Sequence, residues 1–319
     1  MNNALPPRAR DTLLLCRTPF QAVVLRRVIK DEDVGNYDLV YFTQNDAEED
    51  RHYFKELSVS ANRVQYVYIR PQKFDIANHI MFYLAVSKEI RRKKYGAVIL
   101  SSFDNIAIRR LSTKYDFSEI ITFDEGSGYI NKYSEYIMAK NPVREAVYAF
   151  SFAGCARTEF IARVARHYSI YRGLENIMPQ KIVRYIDLFP SGEKSEPYQP
   201  AISLFIGQPF DEYHDCDYIK NLKRYILNLS IDYYVKHPRE KAPLVGCIPL
   251  LSKGGRIAED AIFEMSKGRR LVIFGAFSTV LLNVGSEVAE KVMILRRGVE
   301  QDHYLAELGK RTGCRIVFV

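Results

Sequence analysis

The sequence predicts an α/β fold of two Rossmann-like, doubly wound domains facing a central cleft. Short apolar runs of strand length alternate with amphipathic helical stretches, the pattern of a parallel sheet with helical crossovers. The stretch 190–200, PSGEKSEPYQP, has three prolines, a glycine and charges without periodicity, and reads as a linker. After it the alternation starts again. The expected domains are therefore 1–195 and 196–319.

In the first half, the apolar run 11–16 is a buried strand. Thr18 and Pro19 open a helix to residue 30, the threonine as N-cap and the proline in the first turn. Strands follow at 37–43, 64–69, 96–101 and 119–123, with helices at 48–58, 76–94 and 104–114 between them. The stretch 141–167 reads as helical and amphipathic, and 181–188 as a strand. The second half gives strands at 201–206, 231–235, 271–274, 292–295 and 314–319, with a short one at 244–248. Its helices are expected at 212–229, 257–267, 279–284 and 301–312.

Composition narrows the function classes. Apolar residues make up 47% and charged residues 26%, ordinary values for a soluble globular protein, and 319 residues suffice for two cores. No apolar run reaches membrane-spanning length, and the N-terminal apolar run is too short for a signal peptide. The five cysteines, at 16, 155, 216, 247 and 314, show no CxxC pairing, so neither a disulfide framework nor structural zinc is expected. A cytoplasmic location fits. The net charge of +8 favours anionic partners. No helix-turn-helix, zinc-finger or RNA-binding signature supports nucleic acid as that partner.

Ligands of open α/β sheets bind beyond the C-terminal ends of the strands. Asp124, Glu125 and Gly126 stand there after the strand 119–123, where they form a turn or present two carboxylates. Gly207, Gln208, Pro209, Phe210 and Asp211 follow the first strand of the second half. His237 ends the next one, held extended by Pro238 and flanked by Lys236 and Arg239. An imidazole fixed at such an edge can serve an anionic leaving group, or it merely ends a strand. Ser278 and Thr279 follow the strand 271–274 and open a helix, as N-cap or as a phosphate seat. Asp215, Cys216 and Asp217 spell a DxD, but within a predicted helix, and read as an exposed face.

Taken in order, the stretches LCRTPFQ (15–21), LSSFDNIAIRRLSTKYDFSEIITFDEGSG (100–128), YSIYRGLENIM (168–178), LFIGQPFDE (204–212), YYVKHPRE (233–240) and IFGAFSTVLL (273–282) resemble the bacterial sialyltransferases of glycosyltransferase family 52. The resemblance implies a GT-B-like fold, CMP-sialic acid as donor, a galactose-type acceptor on a surface glycan, and inversion at the anomeric carbon without metal or other cofactor. By position, His237 resembles the general acid on the departing CMP phosphate, with Pro238 and Arg239 beside it. Ser278 and Thr279 resemble phosphate binders. The resemblance points to Asp211 as general base through a one-residue shift, because Phe210 intervenes after Pro209; Asp124, first acid of the (D/E)-(D/E)-G motif, is the other candidate. Glu125, Gly126, Gly207 and Gln208 join the substrate-binding set, and Glu259 is a candidate for the ribose hydroxyls or a solvated helix residue.

Other readings keep the fold with a UDP-hexose or another CMP-activated acid, or make the chain a basic binder of nucleic acid or acidic lipid. Relatives form dimers, so a homodimer through 141–167 is a further expectation, as is peripheral contact with the inner face of the membrane.

Overall fold

A computed structural model of the chain describes residues 11–73, 75–134, 156–189, 200–267, 269–285 and 289–319. Two compact units divide the chain, Met1–Leu188 and Phe189–Val319. The expected boundary at 195/196 and the linker stretch 190–199 lie outside the described residues.

The first unit carries a seven-stranded sheet. Its strands are β1 (Thr12–Cys16), β2 (Tyr37–Thr43), β3 (Ala61–Tyr68), β4 (Lys94–Leu100), β5 (Asp116–Phe123), β6 (Val164–Ser169) and β7 (Val183–Tyr185), ordered β3-β2-β1-β4-β5-β6-β7 and parallel throughout. Helices α1 (Pro19–Asp31), α2 (Glu48–Ser58), α3 (Asp75–Glu89) and α4 (Ile106–Lys114) make the early crossovers. The winding direction reverses after β3, so α1 packs with α2 while α3 packs with α4. β1 is buried throughout and β4 from Ala97 to Leu100, as strands covered on both faces must be. Thr18 caps α1 as expected, accepting from the Gln21 N–H at 3.2 Å.

The second unit has a five-stranded parallel sheet of β8 (Ile202–Ile206), β9 (Tyr233–Val235), β10 (Leu271–Gly275), β11 (Glu290–Leu295) and β12 (Cys314–Phe318), in the order β12-β11-β10-β8-β9. The described helices of the later chain are α5 (Arg157–Arg163), α6 (Phe210–Tyr213), α7 (Cys216–Leu227), α8 (Ala258–Ser266), α9 (Thr279–Asn283) and α10 (Glu300–Arg311). Both sheets reverse direction once, between β1 and β4 in the first and between β8 and β10 in the second. Those reversals are the topological switch points, where strand C-termini leave a crevice.

Several elements differ from expectation. Residues 141–155 lie outside the described residues, and the helix read through 167 ends at Arg163: Val164–Ser169 is strand β6. The tertiary register won there, since His167, Tyr168 and Ser169 are buried against β5. The expected helix 212–229 is broken at His214, because Asp215 takes an extended backbone and caps α7 by accepting from Tyr218 N–H at 2.8 Å. The run 231–235 contributes only Tyr233–Val235 to the sheet. The stretch 244–248 is no strand; a single bridge joins Leu250 to Tyr234 instead. No helix among the described residues is long and apolar enough to cross a membrane.

Candidate functional site

At the switch point of the first sheet, the chain leaves β1 through Arg17 and β4 through Ser101 and Ser102. Gln21, buried one turn into α1, turns its amide back to this edge. It donates to Ser102 Oγ at 2.8 Å and to Glu125 Oε2 at 2.7 Å, and its own oxygen accepts from Arg17 N–H at 2.8 Å. Ser102 also donates to Glu125 Oε2. Its φ of 56° is a left-handed conformation that a side chain adopts at a cost, a kind of strain found where geometry serves a site. Burial pushes the Glu125 carboxyl above the usual carboxylate range, opposed by Ser102, the Arg17 charge and Gln21. Arg17 lies over the Phe82 ring and donates to Gln44 at 3.3 Å.

The two adjacent acids of this loop have different surroundings. Asp124 is 0% exposed. Its Oδ2 accepts from Ser169 Oγ at 2.7 Å and Ile170 N–H at 3.0 Å; its Oδ1 meets His167 Nε2 at 3.0 Å and Asn176 Nδ2 at 3.1 Å. Thr122 Oγ1 in turn meets His167 Nδ1 at 2.8 Å. With four partners and no exposure, Asp124 ties β5 to β6 and the following turn and offers no lone pair to solvent. Glu125, only partly buried, is the carboxylate this edge presents. Gly126, at φ 100°, permits the sharp departure between the two acids and the 3-10 turn Ser127–Tyr129.

The second sheet's edge is assembled from three loops. Gly207, Gln208 and Pro209 leave β8, His237 and Pro238 leave β9, and Ala276 to Thr279 leave β10. Gln208 Nε2 donates to the Phe277 carbonyl and so bridges the two loops of the switch point. Gly207 is required by packing: a Cβ there would strike the Glu240 carboxylate and the Tyr234 ring. His237 is half-buried, and its Nδ1 accepts from Arg239 N–H at 3.1 Å. Burial holds its imidazole below the usual histidine value, with Arg239 and Lys253 acting the same way and Glu212 opposing them. Glu212 pairs with Arg239 at 3.2 Å on the surface.

Ser278 caps α9, its Oγ accepting from Val280 N–H at 3.3 Å, and Thr279 is exposed beside it. α9 has only five residues, so hydroxyls and amides rather than an extended helix dipole define this corner. Glu259 is 5% exposed and accepts from Asn283 Nδ2 at 2.9 Å. Burial raises its carboxyl, so it is not the solvated helix residue considered above. Asp211 is exposed in the first turn of α6. The residue before it, Phe210, is buried against Phe205 and anchors α6 to the core, which turns Asp211 outward. The DxD residues are separated in role: Asp215 is the α7 cap, while Asp217 is exposed and faces Lys220 at 3.6 Å. Among the described residues, no group of three or more His, Cys, Asp and Glu is gathered as a metal site.

Sequence reasoning missed Arg17, Gln21, Ser102, Glu240 and Lys253. Gln21 carried a signal, one helical turn beyond the cap Thr18 and facing the sheet edge. Lys253 carried none: it stands in an irregular loop, and only its charge acts on His237 and Glu259.

This chain is similar to three curated bacterial proteins along most of its length. It is 22% identical to the N-acetyllactosaminide alpha-2,3-sialyltransferase of Haemophilus influenzae, over 90% of this chain and 92% of that one. It is 25% identical to the CMP-N-acetylneuraminate:beta-galactoside alpha-2,3-sialyltransferase of Pasteurella multocida, over 85% and 86%. It is 24% identical to the N-acetyllactosaminide alpha-2,3-sialyltransferase of Neisseria meningitidis, over 85% and 75%. Among solved structures, the glycotransferase of kitacinnamycin shares the fold at a TM-score of 0.55 and 10% identity, over 98% of this chain and 87% of that one. Two parallel, doubly wound sheets and that likeness make the fold GT-B-like. The family model for Glycosyltransferase family 52 matches residues 37–297, from β2 in the first sheet to the end of β11 in the second, and the chain belongs to that family of glycosyltransferases.

Proposed function

We propose that this enzyme is an inverting, metal-independent sialyltransferase, taking CMP-sialic acid as donor and a galactose-type hydroxyl of a bacterial surface glycan as acceptor. The observation that carries the reading is the second sheet's edge. There the loop after β9 brings His237 and Arg239, the Lys253 charge acts on His237, and the loop after β10 brings the hydroxyls of Ser278 and Thr279 to the same end of the sheet. That set suits a single phosphodiester, which carries less charge to offset than a diphosphate. The Pasteurella relative is named for CMP-N-acetylneuraminate and a beta-galactoside, and the other two as sialyltransferases of N-acetyllactosaminide, which supports the same classes here.

In this reading the second unit takes the nucleotide and the first unit the acceptor. Glu125, Gln21 and Arg17 orient acceptor hydroxyls. Asp211, exposed in the loop after β8, removes the attacking hydroxyl's proton, a role Asp124 is too fully engaged to fill. Such proton removal contributes about 10²–10⁴-fold to a transfer. His237 and the two hydroxyls stabilise the phosphate as it departs, the larger electrostatic part of the catalysis.

A thermal-shift screen with CMP, UDP, GDP and CMP-sialic acid tests this directly. Upshifts with CMP and CMP-sialic acid alone are expected. An upshift with UDP instead would move the donor to a UDP-hexose, and no shift with any nucleotide would overturn the donor reading altogether.

A further inference from the structure

The turn after β9 is held more tightly than a strand end requires. Glu240 N–H donates to the His237 carbonyl at 3.1 Å, closing a turn around Pro238 and Arg239. The Glu240 side chain, 6% exposed, then reaches back into the turn it closes. Its Oε2 accepts from His237 N–H at 3.3 Å, and its Oε1 accepts from the hydroxyl of the fully buried Tyr234. That hydroxyl is itself fixed by Leu244 N–H at 3.1 Å. Gly207, on the neighbouring strand end, leaves the space that the carboxylate fills. The backbone of His237 is therefore fixed by a side chain three residues away.

The ring is fixed as well, by a bond with a chemical consequence. A backbone N–H can only donate, so Nδ1, at 3.1 Å from Arg239 N, must keep its lone pair. The neutral ring then carries its proton on Nε2. Placing a second proton on Nδ1 would set two N–H groups head to head. The charged groups around the ring act in the same sense. Arg239 and Lys253 oppose a cation there, and Glu212, which would favour one, is paired with Arg239.

Resting on the CMP-donor reading above, we infer that His237 is a neutral hydrogen-bond donor whose tautomer is locked by Arg239 N–H, and that Glu240 is its positioning residue. His237 gives a hydrogen bond from Nε2 to the departing phosphate and keeps its proton, in place of the general-acid role the resemblance implied. The bookkeeping of the transfer closes without that proton. The bond between the anomeric carbon and the phosphate oxygen breaks, and its electron pair leaves on the phosphate. The acceptor oxygen forms the new bond to carbon, and its proton goes to the Asp211 carboxylate. The product is a phosphate monoester with a second pKa of about 6, so its oxygen is stable unprotonated at neutral pH.

Long-range ¹H–¹⁵N correlation of the histidine rings in the full chain, with and without CMP, tests the lock. From about pH 6.5 to about pH 8.5, across the ordinary histidine range, Nδ1 is expected as a bare nitrogen and Nε2 as N–H. Over that span kcat/KM for CMP-sialic acid is expected to show no falling alkaline limb. An imidazolium pattern in the CMP complex at neutral pH, or an alkaline limb with an apparent pKa near about 7, would overturn the inference while leaving the CMP thermal shift intact. Absence of that thermal shift would instead remove the functional reading, and the donor role with it.

Glu240→Ala is expected to give a mixture of ring tautomers and about a hundredfold lower kcat, with a smaller change in donor KM. Glu240→Gln should recover most of that loss, because its carbonyl can accept from His237 N–H while its amide donates to Tyr234 Oη. A glutamine variant as slow as the alanine variant, with an unchanged tautomer pattern in both, would reduce Glu240 to a packing residue.

Discussion

The two sheets end in edges of opposite character. Both are parallel, both reverse at a single switch point, and both place a Gly- or Ser-bearing loop there. The first edge presents one carboxylate, Glu125, held by an amide and a strained serine beside a guanidinium. The second presents an imidazole among positive charges. Topology fixes where a ligand can approach in both units, while the residues on the loops decide which charge it meets.

The sharpest way to break this comparison is inside the first edge, where two acids sit side by side. Asp124→Ala removes the acceptor for four partners, and the two that are fully buried, His167 and Ser169, are left unsatisfied there. A stability loss on the order of 4 kcal/mol is expected in urea unfolding, with the transfer lost alongside the fold. If Asp124→Ala folds normally and only catalysis fails, Asp124 touches substrate after all and the division between the acids is wrong. In the second edge, His237→Ala should cost about 10²–10³-fold in kcat with CMP affinity changed far less. Unchanged turnover would take His237 out of the chemistry.

Glu125→Gln should leave the fold intact and raise the acceptor KM roughly 10- to 100-fold, the range of a lost hydrogen bond to a charged group. Its stability should move in the opposite direction from activity. The folded state raises the Glu125 carboxyl above its unfolded value, so the neutral form is the one the fold favours. The stability this group contributes is fully present below the unfolded value near about 4.3 and is lost as pH rises through the folded one. At neutral pH the permanently neutral glutamine variant should therefore melt higher than the parent. The gap should close as pH falls into the carboxylate range. A variant that melts lower than the parent at neutral pH would mean that the ionised carboxylate stabilises this edge.

Much of this arrangement was legible in the chain. Strand and helix periodicity placed nearly every crossover, and the loops singled out from it do leave the C-terminal ends of parallel strands. What periodicity cannot supply is which of two neighbouring side chains turns inward. Asp124 and Glu125 are equivalent on paper, and their separation depends on Ser169 and Asn176, more than forty residues further along. Those partners were hidden because 164–167 extended a helical pattern and only pairing with β5 makes it a strand. The same holds for Glu240. In sequence it is one more charge in a polar turn, and only the approach of Gly207 and Tyr234 shows it buried.

The smallest expected effect is at the DxD. In a metal-dependent transferase, paired aspartates must converge on one ion with their oxygens free. Here Asp215 already accepts from Tyr218 N–H and belongs to the start of α7, while Asp217 is 91% exposed and turned toward Lys220. The two therefore have separate tasks, one structural and one on the surface. Asp217→Asn is expected to leave the transfer rate unchanged, since an exposed pair of this kind contributes little. EDTA in the assay is expected to do the same. Loss of transfer with chelator, restored by added divalent cation and abolished again by Asp217→Asn, would give this segment a role in catalysis. It would also mean that the phosphate needs more positive charge than Arg239 and Lys253 provide beside the neutral His237 donor, which is the point on which the contrast between the two edges rests.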